Sequence, residues 1–174
     1  MGDIAQGVAQ AFVADDETVC RLAFSADHPI SRGTGYPQKH DPETGLIRME
    51  EITWDDLKKN GFSVQICSLY SFAEATDEAA RRNAERSAKA GFEVNYRLAG
   101  CHFAIVRSIN EIVDEAGQSM FYVLDSRTPE APAHAEIRAT DHLVDKSILL
   151  KYRESLRDVL GRIRDARDID KFVA

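Results

Sequence analysis

The chain predicts an α+β fold: a mainly antiparallel sheet of about four or five strands, covered by a long C-terminal helix and one or two further helices. Three observations carry this. Phe62 to Tyr70 alternates apolar and polar residues, with Phe62, Val64 and Ile66 on one face and Ser63, Gln65 and Cys67 on the other. The apolar runs Cys101 to Ile109 and Met120 to Asp125 flank a link bearing Asp114, Glu115 and Gly117, so an antiparallel hairpin is their simplest arrangement. From Asp145 onward, Leu149, Tyr152, Leu156, Val159, Leu160 and Ile163 recur at three- and four-residue steps with charges between them, the signature of a surface helix with one apolar stripe.

Taken in order, Asp3 to Val13 places Ile4, Val8 and Phe12 a helical turn apart and reads as a short amphipathic helix. Thr18 to Ser25 is a strand with Val19, Cys20, Leu22 and Phe24 as its apolar members. Residues 26–48 are punctuated by Pro29, Gly33, Gly35, Pro37, Pro42 and Gly45 and form a long loop. Thr53 caps a short helix, Trp54 to Asn60, that Gly61 stops. Thr76 to Ala90, with Thr76 as N-cap and Gly91 past its end, is a helix whose only apolar residue type is alanine. Such a helix packs closely against a neighbour or lies in solvent. Ala135 to Ala139 is a further short strand.

The 174 residues suit one domain, 1–174. Apolar residues make up 44% and charged residues 29%, as in globular proteins. The net charge of −7 lacks the basic signature of nucleic-acid binders, so no nucleic-acid partner is expected. No run reaches the ~20 apolar residues of a membrane span and the first residues lack a basic n-region and a long apolar stretch, so neither a membrane partner nor a cleaved secretion signal is expected. The three cysteines, Cys20, Cys67 and Cys101, are too few for a disulfide framework and too far apart for a zinc knuckle. A reducing, cytoplasmic setting is the expectation.

Two constellations carry the functional reading. Cys101-His102 opens one strand and Asp125 closes the next, with Cys20 upstream. The stretches His102-Phe103-Ala104-Ile105-Val106 and Phe121-Tyr122-Val123-Leu124-Asp125 resemble the His…Asp half of papain-like and transglutaminase-like folds. That resemblance implies a hydrolase or transferase in which Cys20 is the nucleophile, His102 its base and Asp125 the orienting carboxylate. Against it, Cys20 lies within a strand pattern rather than at a helix N-terminus, where backbone N–H groups would activate it. The second constellation is Asp125 to Ile137, in which two prolines stiffen the approach to Ala133-His134-Ala135. With the upstream Phe62-Ser63-Val64 step, it resembles uncharacterised bacterial proteins that carry a Pro-Ala-His-Ala motif, which implies a bacterial origin and brings no activity.

His28 and His40, each beside an aspartate in the long loop, lack metal-site spacing. Gly33-Thr34-Gly35 is not a phosphate cradle, so no cofactor is expected. Arg21, Ser63 and Glu136 match the residue types of an ADP-ribosyltransferase-like site, types too common to weigh. The leading expectation is a non-catalytic binding or protein-interaction domain. Its partner is a protein or a small molecule, its candidate binding residues are His134, His28 and Arg127, and the C-terminal helix is a face for a homodimer. The alternative is the cysteine hydrolase or transferase of Cys20, His102 and Asp125.

Overall fold

Alternating and apolar runs form five strands in the computed structural model, which describes residues 11–26, 40–91, 93, 96–142 and 145–173. The strands are β1 (Thr18–Ala26), β2 (Phe62–Ile66), β3 (Tyr96–Ile105), β4 (Phe121–Asp125) and β5 (His134–Ala139). The helices are α1 (Phe72–Ala90), the single turn α2 (Val106–Asn110) and α3 (Lys146–Leu160). All strand pairs are antiparallel, and the sheet order is β3-β1-β2-β5-β4. No helix among the described residues is long and apolar enough to cross a membrane.

Cross-strand partners share a face, so the register sorts the side chains. One face gathers Val19, Phe62, Val64, Ala104, Ala135 and Ile137 into the larger core. Helix α3 covers it through Leu149, Leu156 and Leu160, and α2 adds Val106 and Ile109. The other face carries Cys20, Leu22, Cys101 and Phe103 on β1 and β3. Ala75 and Ala79 of α1, with Ala166 and Ile169 from the 3₁₀ turn Ala166–Lys171, cover that half. Over β2, β5 and β4 the same face stays half-open: Ser63, Gln65, His134, Glu136, Arg138 and Tyr122 are all partly exposed.

The structure departs from the sequence reading at several places. The Cys101–Met120 region is not a hairpin: β3 and β4 are the two edges of the sheet. The chain leaves β3 at Val106 and winds into α2, whose Val106 and Ile109 are both buried, and the predicted turn at Asp114–Gly117 closes only a small arm, Val113 against Ser119. Next, β2 stops at Ile66, because Cys67–Leu69 forms a 3₁₀ turn in which the Ser68 hydroxyl bonds the Glu17 carboxylate at 2.9 Å. Helix α1 starts at Phe72 rather than after Thr76. Ser71 and Glu74 form a reciprocal capping box (Ser71 N to Glu74 Oε2, 2.7 Å), and Thr76 instead bonds the Phe72 carbonyl inside the helix. Finally α3 ends at Leu160, and Gly161, with φ +67°, turns the chain away before Ile163.

The short helix near Asp56–Asn60 is wound as a π turn, capped by Thr53 as expected and stopped by Gly61. Of the predicted Asp3 to Val13 helix, residues 3–10 lie outside the described residues. Phe12 and Val13 are extended beside β4, with Val13 N bonding the Val123 carbonyl at 3.0 Å and Asp125 N the Ala11 carbonyl at 2.9 Å. At the other edge, Arg164 and Cys101 exchange two backbone bonds of 2.8 and 2.9 Å. Gly100 makes that approach feasible, since a Cβ there would overlap the Arg164 carbonyl.

Candidate functional site

The two segments that carried the second constellation prove to be neighbours. Strands β2 and β5 pair Ser63 with Glu136, Val64 with Ala135 and Gln65 with His134. Val64 and Ala135 point into the large core, so Ser63, Gln65, His134 and Glu136 form a polar patch on the half-open face. The Pro-Ala-His-Ala segment is drawn tight to the sheet: the Ala133 carbonyl accepts from Ile66 N at 2.8 Å, and Ala133 and Ala135 are both buried. Only small side chains fit there, which explains the alanines flanking the histidine.

Helix α1 stands beside this patch and closes a groove of about 710 Å³, within the range of ligand pockets. Its floor is Ser63, Gln65, Tyr70 and His134, one wall is the charged side of α1, and the other is the Glu130–Ala133 turn. His134 Nδ1 hydrogen-bonds the Ser126 hydroxyl at 2.8 Å, which fixes the ring, while Nε2 has no partner among the described residues. Burial, with Glu78 nearby, pushes the Tyr70 hydroxyl well up, so it stays a neutral hydrogen-bonding group. Glu78 itself bridges Arg81 and Arg82 at 2.6 and 2.7 Å, which holds its carboxyl below the usual range.

The first constellation does not assemble. Cys20 pairs across the sheet with Phe103, whereas His102 pairs with Arg21, so the thiol and the imidazole occupy opposite faces. Asp125 lies on the far edge strand, in a fork with Arg127 at 2.8 and 2.9 Å that keeps its carboxyl low. His102 is 1% exposed; its Nδ1–H donates to the Gly161 carbonyl at 2.9 Å, and Nε2 is buried without a partner among the described residues. Burial lowers its pKa, with His40 and Arg21 acting in the same direction, so the ring is held neutral. Cys20 sits with Cys67 and Cys101 in one buried cluster. Contact with those two thiols and burial raise its pKa well above the ordinary value, the opposite of an activated nucleophile.

Arg127, committed to Asp125, does not line the groove, and His28 lies outside the described residues. Arg21, Ser63 and Glu136 do fall together: Arg21 Nη1 donates to the Ser63 carbonyl at 2.6 Å, and Ser63 faces Glu136. Glu136, however, is tied to Arg138 at 2.6 Å. No group of three or more metal-ligating side chains is assembled among the described residues. Sequence reasoning missed Tyr70, Arg82 and the clustering of the three cysteines. The available signal was the alternation of β2, which already set Ser63 and Gln65 apart from the core face. No family model, curated protein or solved structure matches this chain.

Proposed function

We propose that this chain is a non-catalytic binding domain whose small polar ligand lies in the groove between α1 and strands β2 and β5. The observation that carries the reading is the groove floor. Gln65, Tyr70 and the free Nε2 of His134 converge on a cavity of about 710 Å³, and the His134 ring is fixed from behind by Ser126. Convergent, pre-oriented hydrogen-bonding groups in a concave site are what ligand recognition needs. The three thiols are buried and none lines the groove, although Cys20 pairs across the sheet with Gln65, so the floor itself offers hydrogen bonds rather than a sulfur nucleophile. Three free thiols suit a reducing compartment. The stripe of α3 that the sequence offered to a second copy supports dimerisation poorly, because Leu149, Leu156 and Leu160 pack on the chain's own sheet.

The test is amide chemical-shift mapping against a collection of small polar compounds. Binders are expected to move Gln65, Tyr70, Ala133 and His134 together, and His134→Ala is expected to weaken them about tenfold while leaving the fold intact. Binders that move only residues of the α3 face would overturn the assignment.

A further inference from the structure

The sheet parts between β1 and β2. These strands pair only at Val19/Ile66 and Cys20/Gln65; beyond that point β1 follows β3, and β2 follows β5. A cavity of about 180 Å³ opens in the gap, and its polar lining is Arg21, Ser63, Gln65 and Arg82. The last three also line the larger groove, so the two spaces adjoin. No carboxylate lines the cavity, although the chain carries a net charge of −7 and four acidic residues line the adjoining groove.

Arg21 fills the gap in an unusual way. Its guanidinium lies over the Phe62 ring at 4.1 Å and donates through Nη1 to the Ser63 carbonyl, which the parted β1 backbone leaves open. Among the described residues it has no carboxylate within ion-pair distance and no further hydrogen-bond acceptor. Burial and the like charge of Arg82 pull its pKa down to about 10, so it is still a cation at neutral pH. Arg82 uses Nε on Glu78 at 2.7 Å and leans over Phe24, which leaves its two terminal nitrogens without a partner among the described residues. Two guanidinium forks beside one acid-free cavity repel each other unless an anion lies between them. Planar forks of this kind are suited to phosphate and carboxylate oxygens.

We infer that the split between β1 and β2 is an anion seat, in which a phosphate or carboxylate group of the groove's ligand accepts hydrogen bonds from Arg21 and Arg82. This rests on the reading of the groove as the binding site, and it names the chemistry of one end of the ligand. Gln65 and Ser63 stand at the junction of the two spaces, where the rest of the ligand would pass into the groove.

The experiment titrates inorganic phosphate, and separately acetate, into the full chain and into Arg21→Met, Arg82→Gln and Arg127→Gln variants. The readouts are arginine Nε and glutamine side-chain resonances, together with the thermal midpoint. One of the two anions is expected to move the Arg21, Arg82 and Gln65 signals and raise the midpoint; phosphate or acetate, whichever does so, gives the class. Arg82→Gln is expected to weaken that binding about tenfold, as is Arg21→Met, while Arg127→Gln leaves it unchanged. If Arg21→Met does not fold, Arg82→Gln decides. Neither anion moving these signals, or equal binding by Arg82→Gln, overturns the anion seat. In that event neutral or cationic compounds that still move His134 and Tyr70 leave the groove reading standing, and the absence of any such compound removes both.

Discussion

His102 shows how a residue that looked catalytic is explained by its surroundings. It is a buried neutral imidazole with one nitrogen bonded to Gly161 and the other unpaired among the described residues. Its folded pKa lies below the ordinary 6.5, and so does that of the partly buried His40, also through burial. A depressed histidine contributes stability that is fully present above the unfolded pKa and is lost as pH falls through the folded one. The urea midpoint is therefore expected to hold from pH 8 to 6.5 and to decline below it. His102→Asn, which keeps a donor for the Gly161 carbonyl, should flatten part of that decline and leave the His40 share. An acid slope in the variant as steep as in the natural chain would show that His102 does not drive it. The sequence placed His102 correctly within a strand; which face it pointed to depended on register with β1, which a strand's own residues do not encode.

At the scale of elements, sequence pattern located the five strands of the described sheet, and what it missed was how they are terminated. The start of α1 illustrates this. Ser71-Phe72-Ala73-Glu74 is a complete capping box, hidden because alternation appeared to run on to Tyr70 and because Thr76-Asp77-Glu78 offered a second cap. Ser71→Ala is expected to destabilise the fold by about 1 kcal/mol, seen as a lower denaturation midpoint, while Thr76→Ala changes little. The reverse order of effects would restore the later start. The end of β3 is a similar case. Ala104-Ile105-Val106-Arg107-Ser108-Ile109 suits a strand or a buried helical turn equally, and burial of both Val106 and Ile109 selects the turn. That one choice sends β4 to the opposite edge and separates His102 from Asp125. The groove, by contrast, was half legible, since Ser63 and Gln65 fell in a strand pattern with their polar side turned away from the core, while His134 stood just before the predicted strand Ala135 to Ala139. Arg82 was not, because nothing in a row of surface charges marks the one beside a gap in the sheet.

Across the whole molecule, each margin of the sheet is covered over part of its length. Ala11 and Val13 bond along β4, and Arg164 bonds along β3 across the space that Gly100 leaves open. A bare strand is a template on which another chain can build, and these strips of backbone occupy the template in advance. A chain lacking residues 1–13 would present the unpaired groups of Val123 and Asp125 to its neighbours. It is expected to form higher-order species in sedimentation at concentrations where the 174-residue chain does not; identical profiles would mean that β4 is guarded by something else. On this reading the two short flanking segments are what would keep copies of this chain apart in a crowded solution.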